Sequence, residues 1–93
     1  MIWDKTKRLI NIEKHHLDFA DAGLVLSNSY RLEFESVRNG EVRRQTFAYV
    51  AEVLTVLTVI WAPGEKRRII SFRRAHINER EAYHAWLEKE FKE

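Results

Sequence analysis

The sequence predicts a single α+β domain, and three observations carry that prediction. Apolar residues recur at helical spacing near both ends of the chain. Through the middle they alternate with polar residues or run continuously, and an Asn39-Gly40 pair divides this region as a hairpin turn would. A chain of 93 residues with 45% hydrophobic and 12% aromatic content suits one core, so residues 1–93 are read as one domain.

Ile2 and Trp3 read as a short strand or an apolar lead-in. Asp4 can N-cap a helix over residues 5 to 15, in which Leu9, Ile12 and His16 fall at i, i+3 and i+7. Asp18, with Asp21 three residues on, suggests a second short helix that gathers Phe19, Ala22, Val25 and Leu26 on one face and ends at Ser27-Asn28-Ser29. From Tyr30 the pattern alternates, with Tyr30, Leu32 and Phe34 opposite Arg31, Glu33 and Glu35, which is the signature of a half-buried strand. The returning strand is expected at Arg44 to Val50 and a central strand, apolar on both faces, at Val53 to Trp61. Only Ala51-Glu52 separates these two, a poor turn sequence. Pro63-Gly64 makes the next turn, Arg67 to Arg73 the last strand, and Tyr83, Trp86, Leu87 and Phe91 the stripe of a final helix. The expected order is two N-terminal helices, an antiparallel sheet of about four strands, and a C-terminal helix.

Composition excludes several classes of protein. Without cysteine there is no disulfide framework, thiol nucleophile or Cys-based zinc site. The opening MIWDKTKRL has no apolar signal region, and the longest apolar stretch, Val53 to Ala62, is about half of what a membrane helix needs, so a soluble, cytoplasmic protein without membrane partners is expected. No phosphate-binding glycine loop and no nucleophile elbow is present. His15 and His16, adjacent on a helix, point about 100° apart, and no carboxylate stands at metal-ligand spacing from a histidine pair, so neither a metal nor another cofactor is expected.

Charge is nearly balanced, 16 Lys+Arg against 14 Asp+Glu, but it is not evenly spread. Lys66 to Arg80 holds six basic residues and one acid, a local basicity that suits a polyanion. On strict strand alternation, Arg67, Ile69, Ser71 and Arg73 face one way, and Arg68, Ile70, Phe72 and Arg74 face the other, with Ile70 and Phe72 marking the core side. Arg67 and Arg73 would then span one open sheet face. Guanidinium groups bind phosphate oxygens bidentately and stabilise the charge of a phosphorane-like transition state. Alternatively these arginines pair with Glu79, Glu81 or Glu33 and close the sheet. Self-cleavage of RNA by its 2′-hydroxyl needs a base and an acid, for which histidine is suited. His15 ends the first helix, where the helix dipole favours an imidazolium; it can also act simply as a C-cap. Glu79 and Tyr83, at i and i+4, share a helix face. Glu79 can orient Arg73 or act as a base, and Tyr83 can stack on a base or pack in the core.

Taken together, IWDKTK, the Asn11, Lys14 and His15 of N..KH, Phe19 and Asp21, RRIISFRRA at Arg67 to Ala75, and the Glu79 and Tyr83 pair resemble the BrnT family of ribonuclease toxins, in order and over nearly the whole chain. The resemblance implies a RelE-like fold and a metal-independent endoribonuclease that blocks translation. It implies a partner too, a BrnA-like antitoxin that binds promoter DNA, in a complex of two toxins and two antitoxins. His15, Arg73, Glu79 and Tyr83 would be catalytic, and Lys14, Arg67, Arg68 and Arg74 would bind RNA. A relative that has lost activity and survives as an RNA- and antitoxin-binding co-repressor is the alternative. The chain departs from the family pattern at four places. His16 stands where glycine usually follows Lys-His, and Phe72 stands for a small residue, which would need extra space under the final helix. His76 stands for a threonine before that helix, which shifts the expected cap to Asn78 with Glu81. No glycine marks the turn at Val53 and Leu54.

Overall fold

The computed structural model describes residues 1–91; Lys92 and Glu93, which end the mixed-charge tail, lie outside the described residues. The elements are β1 (Ile2–Trp3), α1 (Lys5–His15), a 3-10 turn (Phe19–Asp21), α2 (Gly23–Leu26), β2 (Leu32–Arg38), β3 (Glu41–Val50), β4 (Thr55–Ala62), β5 (Arg68–Arg74) and α3 (Ile77–Glu90). The α+β class stands, with one more strand than the sequence suggested. β2 to β5 form an antiparallel meander, and β1 adds a parallel edge beside β5, which makes a mixed sheet of order β1-β5-β4-β3-β2. The sequence left Ile2 and Trp3 open between a short strand and an apolar lead-in, and pairing with β5 makes them a strand.

Local chemistry sets most of the boundaries. Asp4 caps α1 by accepting from the Lys7 N–H at 3.0 Å. Asp18 accepts from the Ala20 N–H at 3.0 Å and opens the 3-10 turn that leads into α2. Asn39 (φ 51°) and Gly40 (φ 76°) supply the two positive φ angles of the β2–β3 hairpin, as the sequence requires. The β3–β4 connection lacks glycine and solves the same problem by placing Leu54 at φ 55°, with 77% of its surface in solvent. His16 ends α1 at φ 58°, its N–H bonded to the Ile12 carbonyl. The left-handed position is therefore filled by histidine without a glycine.

The sheet lies between two helical layers. On one face Phe19, Val25 and Leu26 pack with Leu57, Val59, Ile69 and Phe72. On the other, Tyr83, Trp86 and Leu87 of α3 cover Phe47 and Val56. Helix α1 does not present the face that its apolar residues suggested. Leu9 is 59% exposed, whereas Asn11 is buried. Its side-chain amide donates to the Phe72 carbonyl at 2.8 Å and accepts from the Phe72 N–H at 3.2 Å, and it also donates to the Leu17 carbonyl. Asn11 thus pairs with the edge of β5 beyond the end of β1, as another strand would. No helix among the described residues is long and apolar enough to cross a membrane.

The last strand departs from strict alternation. Ile60 pairs with Ser71 but Trp61 pairs with Ile69, so Ile70 bulges out of the ladder. Ile69 and Phe72, three positions apart, consequently enter the same core, where strict alternation puts Ile70 with Phe72. Phe72 is buried on the face of α1 and α2, not under α3. The bulge also separates the arginines. Arg67 lies over the Trp61 ring on one face, and Arg73 emerges on the other, toward α3.

Candidate functional site

Three segments meet at one end of β5. Asn11 fixes α1 to Phe72, and one helical turn later Lys14, His15 and His16 stand beside the residues that follow Phe72. These three, with Arg73, Arg74, Ala75 and His76, line an open cleft of about 310 Å³. A smaller groove lined by Lys7, Asn11, Lys14, His15 and Ser71 continues from it along α1. The cleft walls are basic. Glu79 enters from the first turn of α3, and both of its oxygens are already engaged.

Arg73 and Glu79 form a bidentate ion pair, with Nη1 to Oε1 at 2.8 Å and Nη2 to Oε2 at 3.1 Å, and Nη1 also donates to the Arg74 carbonyl. Glu79 accepts further bonds from the His76 N–H at 2.7 Å and from Gln45 Nε2 at 3.2 Å. The guanidinium holds its carboxyl at a pKa of about 2, with partial burial opposing that shift. The bond to the His76 N–H makes His76 the N-cap of α3, with Glu79 at N3, which places the cap two residues before the expected Asn78. The Nε of Arg73 has no hydrogen-bond partner among the described residues, so it keeps an N–H for a ligand.

His15 has its pKa lowered, first by desolvation and then by the charges of Lys14, Arg73, His16 and His76. The direction is opposite to the one a helix C-terminus favours: burial, and after it the cationic neighbours, disfavour the imidazolium. At neutral pH the ring is therefore mainly neutral and able to accept a proton. The His76 ring is open, with 68% of its side chain exposed and Nδ1 3.6 Å from Glu79 Oε1. Among the described residues no cluster of three His, Cys, Asp or Glu side chains is arranged to hold a metal ion.

The structure brings together Lys14, His15, Arg73, Arg74 and Glu79 from the sequence-predicted set, and leaves three residues outside it. Tyr83 is only 1% exposed, and its hydroxyl donates to the Tyr30 carbonyl at 2.5 Å, so it is a buried anchor of α3 away from the cleft. Arg67 and Arg68 lie at the opposite end of β5. Arg68 pairs with Glu41 at 2.8 Å, while Arg67 and Arg44 lie over the Trp61 ring at 4.9 and 5.4 Å. A single RNA-facing floor running from Arg67 to Arg73 is therefore not what the fold builds. Sequence reasoning had not placed His16, His76 or Gln45 in the site. His76 had one available signal, since a residue between the end of β5 and the start of α3 must sit where the two meet.

A compact α+β fold with a basic, histidine-bearing cleft at a strand end defines a small protein suited to a polyanion. The chain belongs to the BrnT family, whose model, described as ribonuclease toxin, BrnT, of type II toxin-antitoxin system, matches residues 3–79. That match runs from Trp3, the second residue of β1, through β5 to the opening turn of α3, and takes in all seven residues of the cleft wall. No curated relative matches the chain.

Proposed function

We propose that this protein is an endoribonuclease that cuts RNA by attack of a 2′-hydroxyl on the adjacent phosphorus, with no step routed through a metal. The observation that supports the reading is the company His15 keeps: a ring held toward its neutral form in a cleft shared with Lys14, Arg73 and Arg74. His15 takes the 2′-hydroxyl proton. Lys14, Arg74 and the free Nε of Arg73 hold the phosphate and offset its developing charge. Glu79 keeps Arg73 in place. Tyr83, Arg67 and Arg68 lie outside this step. The domain is RelE-like on this reading, works in the cytoplasm and is neutralised by a BrnA-like antitoxin, two copies with two, which alone contacts promoter DNA.

A second reading has one observation in its favour. Both Nη groups of Arg73 are occupied by Glu79, as in a structural ion pair, which suits a relative that binds RNA and antitoxin without cutting. Induced expression in a bacterial host, with and without the antitoxin gene, separates the two when growth and total RNA are followed together. Arrest with RNA cleavage, relieved by the antitoxin and lost in His15→Gln, supports the nuclease. Normal growth with intact RNA from folded, well-expressed protein supports the binding module. Arg73→Ala alone is a poor probe of the chemistry, because it leaves the Glu79 carboxylate buried without its cation. Arg73→Ala with Glu79→Gln removes both charges.

A further inference from the structure

The proposed cleavage accounts for the proton leaving the 2′-hydroxyl and leaves the departing 5′-oxygen without a donor. Resting on that reading, we propose that His76 is the group that protonates the 5′-oxygen, as the acid partner of His15. The 2′-oxygen forms its bond to phosphorus while the bond from phosphorus to the 5′-oxygen breaks. The products are a 2′,3′-cyclic phosphate and a 5′-hydroxyl, and one proton passes to His15 while another leaves His76. The step consumes neither water nor oxidant.

Three features of the cleft select His76. Attack in line places the incoming and departing oxygens on opposite sides of phosphorus, so base and acid must come from different segments of the wall. His15 and His16 are neighbours at the end of α1, and Lys14 precedes them on the same helix, whereas His76 belongs to the junction of β5 and α3. Arg73 and Arg74, the phosphate ligands, precede that junction. Second, the ring is open to substrate, with 68% of the side chain exposed and no hydrogen bond at Nε2 among the described residues. Third, the ring has an orienting partner, since Nδ1 is 3.6 Å from Glu79 Oε1, a contact that becomes an ion pair when the imidazole is protonated. The other cations of the wall suit the role less well. Arginine stays charged at any working pH and is a poor proton donor, and Tyr83, outside the cleft, has its hydroxyl on the Tyr30 carbonyl.

The charged and titratable groups around His76 are Lys14, His15 and His16 from α1, Arg73 and Arg74 from β5, and Glu79 on its own helix. Its role is therefore tested by variants together with a changed leaving group. The test uses a cleavage site mapped in cells, made as an oligoribonucleotide in two forms and assayed with and without added ribosomes. One form carries the ordinary phosphodiester. The other carries sulfur in place of the bridging 5′-oxygen, and its thiolate leaves without a proton. His76→Asn keeps a good helix N-cap, and His76→Thr serves as a second variant, with thermal melting to check that both fold.

His76→Asn is expected to cut ordinary RNA about 10² to 10⁴ times more slowly and to regain near wild-type rates on the sulfur substrate. His15→Gln is expected to stay slow on both. Cleavage of ordinary RNA by both His76 variants within about threefold of the wild type overturns the assignment, as does an equal loss on both substrates. A wild-type protein that cuts neither substrate overturns the nuclease reading itself, and this inference with it.

Discussion

Arg73 and Glu79 stand fork to fork across the junction of β5 and α3, with Nη1 to Oε1 at 2.8 Å, Nη2 to Oε2 at 3.1 Å, and 16% and 17% of the side chains exposed. The pair ties the last strand to the first turn of α3 and sets the floor of the cleft. Its stability has a definite pH dependence. Glu79 is lowered from 4.5 to about 2, so its contribution is complete above the unfolded value and is lost as pH falls through the folded one. Urea unfolding is therefore expected to lose up to about 3 kcal/mol from this group between pH 5 and pH 2. Asp18, held at about 2 by Arg8, adds to the same acid slope, so the comparison is between the wild type and Glu79→Gln. The variant is expected to be less stable at pH 7 and to show the shallower slope; equal slopes would exclude the coupling.

Asn11 does the work of a missing strand, and that also has a measurable cost. Its amide satisfies both backbone groups of Phe72, and replacing it with alanine leaves a buried N–H and a buried carbonyl without partners. Each orphaned group costs about 1 to 3 kcal/mol, so Asn11→Ala is expected to lose about 2 to 6 kcal/mol in urea denaturation. Asn11→Asp is expected to lose at least as much near neutral pH, because a carboxylate cannot donate to the Phe72 carbonyl. A loss under about 0.5 kcal/mol for both would mean that water replaces the amide at no cost.

The sequence made the hairpin, the four long strands and the outer helices legible because each rests on local chemistry: the positive φ of Asn39-Gly40, the Asp4 cap, the alternation from Tyr30. What it did not reveal depends on pairing. Nothing local in RRIISFRR marks Ile70 as a bulge, since the extra residue is defined only against β4. That one residue decides whether Arg67 and Arg73 share a face. Leu9 was misread as buried while Asn11 was missed, because the helix docks through a polar amide, which apolar periodicity does not register. The site fared better near the strand end, where Lys14, His15, Arg73, Arg74 and Glu79 come together. Tyr83 was misplaced because a tyrosine at helical spacing reads alike whether it packs or faces a ligand.

Leu54 carries a conformational cost with little in return. At φ 55° it occupies a region that costs an L-residue about 1 to 2 kcal/mol, and with 77% of its surface in solvent it has little packing to lose. Leu54→Gly removes that cost and adds unfolded-state entropy worth about 0.5 to 1 kcal/mol. The net expectation is a gain of about 0.5 to 1 kcal/mol, seen as a higher urea midpoint at an unchanged m-value. A lower midpoint would show that the leucine side chain stabilises the β3–β4 turn.

If His15 is the base, the acid limb of the cleavage profile belongs to it, and its position follows from what surrounds the ring. Burial and the charges of Lys14, Arg73, His16 and His76 all hold its pKa below the ordinary 6.5. The base form therefore persists to lower pH than in a free histidine, and the acid limb of kcat/KM is expected to have its midpoint below pH 6.5. Lys14→Gln removes one of these cations and is expected to move the limb upward. Because desolvation is the larger cause, the limb should stay below 6.5 in that variant. His15→Gln is expected to abolish the limb along with most of the rate. A limb above 6.5 in the wild type, or one that survives in His15→Gln, would assign the proton to another group of the cleft.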